Sequence, residues 1–460
     1  MDRDRAALSA SSQNSVASSQ MSCLATGYWL LVTVPLAFLA VFYFYPLAAI
    51  MQRSFAPDGV WDWGGIARVT ETTYFARVLG FTLGQAALST VLTLAVGLPA
   101  TYFFARWEFR GQSFLRALTT VPFLLPTIVV AFAFSALLGP RGWINIVLME
   151  WFALDEPPLQ LVGTLALILI AHVYYNLSLV IRIVGGFWAN LDPQLAQAAR
   201  VLGANRWRAF VTVTLPLLAP AIVAAALLIF VFDFTSFGVV LILGGPRLAT
   251  LEVEIYRQTV NLFDLPVAAT LSLVQLVVTF VLMALYARLQ SRLSRPLRLR
   301  PQRITRRRPR TLRERGMVWL TMGALVVFIA APLVTLVAQS FVTPDGFALT
   351  YYAALFVNAR DSIAFVPPIE AARNSFVFAV LTMALALPLG YLAAQSLVAR
   401  PPSSAIGHRL SAIRHHALDP IFMLPLATSS VTLGFGFILA LGQPPLNLRA
   451  SVWLVPIAHA

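Results

Sequence analysis

Apolar stretches long enough to cross a bilayer recur along this chain, and no soluble core could hide them all. They predict helices over residues 28–50, 81–105, 115–138, 159–183, 215–243 and 267–289, with more to follow. Hydrophobic residues make up 59% of the sequence and charged residues only 11%, so the fold class is an all-α, polytopic membrane protein. The first run is too long for a signal-peptide core and is broken by Pro35 and Pro46.

Charge decides the expected topology. Arg106, Arg110 and Arg116 follow the second run, and Arg182, Arg200, Arg206 and Arg208 follow the fourth. The acids Glu150, Asp155, Glu156, Glu252, Glu254 and Asp264 fall in the loops on the other side. The positive-inside rule then predicts six helices with both ends cytoplasmic. It also accounts for the net charge of +14 without nucleic acid as a partner. None of the 33 basic residues is lysine, which excludes a P-loop; any ATP hydrolysis belongs to another subunit. A single cysteine, Cys23, excludes an intrachain disulfide.

One polar stretch between two runs stands apart. Over residues 190–212, Leu195, Ala198, Ala199 and Leu202 share a helical face, Gly203 interrupts the helix, and Trp207 and Phe210 resume an apolar face among Arg200, Arg206 and Arg208. A helix–Gly–helix hairpin, charged outside and apolar inside, suits a groove on a soluble partner; an amphipathic helix lying on lipid is the alternative. The order Gln197-Ala198-Ala199, Gly203, Val213, Leu215-Pro216 resembles the coupling loop of ABC importer permeases, with Gln197 for Glu and Val213 for Ile. The resemblance implies that Ala198, Ala199 and Gly203 form a knob seated in an ATP-binding subunit, with Gln197 at its edge.

The chain also repeats itself. Pro46-Leu47 with Ser54-Phe55 returns as Pro332-Leu333 with Ser340-Phe341. Gln85, Thr93, Leu98-Pro99 and Tyr102 return as Asn374, Thr382, Leu387-Pro388 and Tyr391. Leu125-Pro126 returns as Leu424-Pro425, and Ala171-His172 as Ala458-His459. Two tandem six-helix-type modules are expected: a disordered cytoplasmic tail over 1–27, a first module over 28–290 with its coupling loop at about 190–216, an Arg-rich cytoplasmic linker over 291–316, and a second module over 317–460 with about four helices. A second coupling loop is expected beyond Ala460, as in a truncated fused protein. Residues 288–315 hold twelve arginines and one acid, Glu314; they read either as a linker that fixes topology or as a contact for anionic lipid or an acidic partner face.

The stretches from Phe230 to Gly238 and from Leu243 to Gln258 are similar to the thiamine importer permeases, a group related to ferric-iron permeases. This resemblance extends over essentially the whole chain, fused arrangement included. It implies a bacterial inner-membrane location, a periplasmic substrate-binding protein, an ATPase dimer and a small-molecule substrate, with no cofactor. An ion-gradient-driven carrier would share the duplication but has no use for the coupling loop.

Asp233 stands out on physical grounds, since a mid-helix charge costs roughly 2.5 to 3.5 kcal/mol on insertion scales. It is expected to line a translocation path with Ser236, while Phe232, Phe234 and Phe237 offer faces to a cation. The alternative is that Asp233 accepts hydrogen bonds from Thr235, Ser236 or a neighbouring helix while the rings pack in the core. His172 and His459 read as structural histidines, with no ligand at metal spacing. His408, His415 and His416 read as part-time positive charges in a basic loop. No catalytic arrangement emerges.

Overall fold

The computed structural model describes residues 31–57, 59–245, 247–293, 306–343, 346–357, 367–398, 418, 421–422, 424–425, 428–442, 444, 446–449 and 451–460. The tail over 1–27, residues 294–305 of the Arg-rich segment, Cys23, His408, His415 and His416 lie outside the described residues.

The elements run in order as α1 (Leu31–Phe55), α2 (Gly64–Glu71), α3 (Thr73–Arg106), α4 (Gln112–Leu124), α5 (Thr127–Leu138), α6 (Trp143–Phe152), α7 (Leu165–Asn190), α8 (Pro193–Val201), α9 (Arg206–Phe234), α10 (Gly238–Leu243), α11 (Leu251–Tyr256), α12 (Leu265–Leu293), α13 (Leu312–Gln339), α14 (Thr350–Ala353), α15 (Pro368–Val398), α16 (Ser430–Leu441) and α17 (Leu454–His459). A two-stranded hairpin of β1 (Val342–Thr343) and β2 (Gly346–Phe347) follows α13. Among the described residues, eight helical segments are long and apolar enough to cross a membrane.

Two expected helices are not continuous. The third breaks at Leu125-Pro126, between α4 and α5, because the residue before proline is pushed into extended geometry (Leu125 ψ 143). The fifth ends at Phe234, and α10 begins only at Gly238. A β-carbon at Gly238 would collide with Thr127 Oγ1, so α10 and the start of α5 approach at a distance only glycine permits.

The chain forms two compact units whose bounds differ from those of the two expected tandem modules. One contains residues 63–354 and the other residues 1–62 with 355–460. The first long helix of each expected module, α1 or α13, is therefore counted in the unit that holds the rest of the other expected module.

In the unit of residues 63–354, α3 packs on α7 and α9, and α9 on α12. Lipid tails supply no hydrophobic drive between helices, so small residues at the crossings matter most. Ala86, Ala100, Ala224, Ala225, Ala268 and Ala269 are all buried. At the α3–α7 crossing a β-carbon on Gly97 would lie 2.9 Å from Val180. Helix α13 packs on α5: Val318, Met322 and Ile329 share a core with Phe104, Phe134 and Tyr174, and Tyr174 Oη donates to the Ile329 carbonyl at 3.1 Å. A capping box starts α13, with Thr311 and Glu314 bonding each other's backbone N–H groups.

In the other unit α1 packs on α16. Pro46 lies against Gly436, where an added β-carbon would come within 3.0 Å. Tyr43 and Thr428 hydrogen-bond at 2.5 Å.

Candidate functional site

The hairpin between α7 and α9 is shaped by local chemistry. Asp192 accepts a hydrogen bond from Gln194 N–H at 3.0 Å, and Pro193 stands at the first helical position, so α8 has both a cap and a preset φ. Its far end closes in a Schellman motif: Gly203 N–H reaches the Arg200 carbonyl at 3.0 Å and Ala204 N–H the Ala199 carbonyl at 3.1 Å. Gly203 has φ +92, left-handed backbone that a side chain resists. The spacing from Ala199 to Gly203 is thus the spacing from the third-last helical residue to the left-handed glycine. Asn205 then caps the next turn by accepting from Arg208 N–H at 2.7 Å.

Beyond the hairpin, helix α9 widens into a π-turn over Phe210–Thr214 just before Leu215 and Pro216. A helical proline removes one hydrogen bond and crowds the carbonyl four residues back, here Thr212. That carbonyl lies inside the π-turn, which makes room for the ring.

Helix α8 has no buried residue. The sequence suggested apolar residues inside the hairpin; instead Val201 and Leu202 are 87% and 88% exposed, with Trp207 also outside. Gln197, Ala198, Gly203 and Pro216 are exposed, and Ala199 and Leu215 half-buried. The hairpin rests on Ala209 and Trp188, with the Trp188 and Phe210 rings stacked at 6.0 Å. Behind it, Gln197, Arg200, Arg206, Tyr102 and Arg106 line a cavity of about 640 Å³.

The second cluster surrounds the broken end of α9. A helix leaves its last carbonyls without partners, and here Gln85 Nε2 from α3 donates to the Asp233 carbonyl at 2.8 Å. The Asp233 carboxylate accepts from Asn176 Nδ2 of α7 at 2.7 Å. His172 Nδ1 lies 3.5 Å from the same carboxylate oxygen, and its Nε2 hydrogen-bonds Ser236 Oγ at 2.8 Å. Asp233 is 1% exposed. The three phenylalanines have three different ring partners: Phe232 lies on Phe123 at 5.8 Å, Phe234 on Phe230 at 6.2 Å and Phe237 on Tyr256 at 5.2 Å. Phe234 is buried, and Phe232, Ser236 and Phe237 are half-buried.

Sequence spacing gave His172 no acidic neighbour, yet the fold sets Asp233 beside it. One signal was visible: His172 and Asn176, four apart, share a helix face, as do Gln85, Ser89 and Thr93. Among the described residues no group of three His, Cys, Asp or Glu could hold a metal.

Glu252 and Glu254, expected as solvated loop acids, are instead buried on α11. Glu254 accepts from Tyr74 Oη at 2.8 Å and Gln258 Nε2 at 2.7 Å; Glu252 accepts from Gln275 Nε2. Each carboxylate is thus answered by donors from a neighbouring helix or its own.

Eight membrane-length helices among the described residues, with a glycine-hinged hairpin between two of them, describe a multi-pass membrane protein. Residues 96–295 match the family described as binding-protein-dependent transport system inner membrane component. The chain is 29% identical over 361 residues to the thiamine transport system permease protein of Haemophilus influenzae, covering 77% of this chain and 63% of that protein. A putative 2-aminoethylphosphonate permease of Salmonella typhimurium is 27% identical over 57% of this chain and 92% of its own length. The sulfate permease of Escherichia coli is 28% identical over 58% of this chain and 94% of its own length. The chain therefore spans somewhat under two thirds of the Haemophilus protein.

Proposed function

We propose that this chain is the transmembrane subunit of an importer that carries thiamine or its phosphates across a bacterial inner membrane. A separate ATPase dimer seats on the hairpin of residues 197–216, and a periplasmic binding protein delivers the substrate. The observation that carries this reading is the bare apolar tip of the hairpin, Val201 and Leu202, on a helix with no buried side chain of its own. Such a surface is costly in water and suits a groove on a soluble partner.

Support for thiamine over other cargo comes from extent: the match to the thiamine permease reaches across more of the chain than the matches to the phosphonate and sulfate permeases. The unwound residues 235–237 between α9 and α10 suit a translocation path, because transporters place substrate beside broken helices. Asp233, Phe232, Phe234, Ser236 and Phe237 belong to that region. Asp233 acts there through the buried network that holds the break, with Ser236 and Phe237 as the partly open residues.

The test is uptake of labelled thiamine in a bacterium lacking its own thiamine importer, supplied with the full-length gene, its binding protein and its ATPase. ATP-dependent accumulation is the expected result. Membrane expression and complex assembly without thiamine uptake would overturn the substrate, and ferric iron is the next cargo to assay. Uptake that persists without the ATPase would overturn the importer reading itself.

A further inference from the structure

Three arginines converge on one cavity at the hairpin end of the unit formed by residues 63–354. It has a volume of about 350 Å³ and is lined by Arg116 of α4, Arg182 of α7, Arg306, Ser113 and Thr120, with Gln112 at its base. Among the described residues no carboxylate lines it. The Gln112 amide is already spent on the carbonyls of Phe104 and Trp107, at 2.8 and 3.1 Å.

The segment that brings Arg306 here is held firmly. Arg307 N–H donates to the Arg106 carbonyl and Glu108 N–H to the Arg307 carbonyl, each at 3.0 Å. The Arg307 guanidinium lies 4.1 Å from the centre of the Trp107 ring and pairs with Glu314 at 3.0 Å. Arg308 pairs with Glu108 at 3.3 Å. Arg307 and Arg308 therefore each have an ion-pair partner, and among the described residues Arg306 has none.

The unpartnered atoms of Arg306 are informative. Nε and Nη2 are both buried without a hydrogen bond, and together they form one edge of the guanidinium fork. That edge matches two oxygens of a single oxyanion. Burial lowers the Arg306 pKa from its ordinary value, and the neighbouring Arg116 guanidinium lowers it further, against a smaller opposing effect of Glu108. Arg182 sits in a π-turn of α7, Val180–Val184, an irregularity common at functional sites. Buried donors and like charges without a counter-ion are costly, and one anion would answer both.

We propose that this cavity is a binding site for a phosphate-type oxyanion, held side-on by Arg306 and by Arg116 and Arg182, with the Ser113 hydroxyl as a further donor. Two sources carry that chemistry: the headgroup of an anionic phospholipid and a soluble phosphate. The strand that supplies Arg306 also places Arg307 in the wall of the cavity behind the hairpin, so an occupied site would hold both walls in place.

The experiment uses the purified full chain, delipidated in neutral detergent. Cardiolipin binding is read by native mass spectrometry, and binding of radiolabelled inorganic phosphate by equilibrium dialysis. Wild type is compared with Arg306→Ala, Arg306→Lys, Arg182→Ala and the control Arg141→Ala, which lies in a different cavity. Saturable binding of one probe is expected, weakened about tenfold or more by Arg306→Ala and by Arg182→Ala. Arg306→Lys, which keeps the charge and loses the fork, should fall between, and Arg141→Ala should match wild type. Cardiolipin alone assigns the site to the membrane, and phosphate alone to a soluble ligand. Failure of wild type to bind either probe, or equal binding in the folded Arg306→Ala and Arg182→Ala proteins, overturns the proposal.

Discussion

Replacing Gly203 with alanine isolates the conformational role of the hairpin glycine. At φ +92 the backbone is in the left-handed region, where an L-side chain costs about 1–2 kcal/mol. No atom lies within 4 Å of a β-carbon added there, so the whole penalty is backbone strain and none is collision. Helix α8 is only nine residues long and buries nothing, and a helix that short is marginal alone. The strain should therefore open the hairpin locally and leave the rest of the protein intact. A cost of about 1–2 kcal/mol raises the open fraction about five- to thirty-fold. Hydrogen exchange followed by mass spectrometry should show that acceleration at the amides of Gly203 and Ala204, which close the Schellman turn, with an unchanged melting temperature. If the ATPase docks only on the closed hairpin, its apparent affinity falls in proportion to the closed fraction, by less than the rise in exchange as long as the closed form predominates. Gly203→Asn, which tolerates left-handed backbone better, should recover part of both effects. Wild-type exchange rates in Gly203→Ala would refute the reasoning, since they would mean that the glycine conformation holds nothing closed.

Other perturbations separate docking, packing and path. Leu202→Asp puts a charge on a side chain that is 88% exposed; if the hairpin seats the ATPase, it should abolish co-purification of that subunit while thermal stability stays within about 0.5 kcal/mol of wild type. Gly97→Ala drives a methyl into Val180 and should destabilise the α3–α7 crossing by about 1–3 kcal/mol, read by thermal denaturation in detergent; Val180→Ala should relieve it, and additive losses in the double variant would argue against that contact. Asp233→Asn in the intact transporter should lower uptake with expression unchanged, and full uptake would remove Asp233 from the path.

The shape of the hairpin was legible because its geometry is local. Asp192-Pro193 starts a helix, Ala199 to Gly203 is the span of a Schellman closure, and Asn205 starts the next turn. Every one of those bonds joins residues at most five apart, so spacing alone predicts them. The membrane spans were legible for the same reason, since length and hydropathy need no tertiary information. The exposure of Val201 and Leu202 was not, because amphipathic spacing says which residues share a face and not what covers it.

The buried cluster shows where such reading stops. Asp233 meets Asn176 and Gln85 from 57 and 148 residues away, and nothing in the spacing along one helix predicts which polar face of another will oppose it. What could be inferred was need: a carboxylate in a membrane helix requires donors, and His172, Asn176, Gln85 and Ser89 were among the polar residues in apolar runs able to supply them. The break after Phe234 was missed because Thr-Ser-Phe-Gly inside an apolar run carries no proline, and the reason for it lies in Thr127, 111 positions before Gly238. Helix α13 argues the same way. Its sequence marks it as the first helix of a repeat, yet the carbonyl that Tyr174 bonds belongs to Ile329 of that helix. A repeat boundary follows descent of the chain, while a compact unit follows packing. In this chain the two diverge at the first long helix of each expected module, so a cut in the Arg-rich segment would separate α13 from the core it completes.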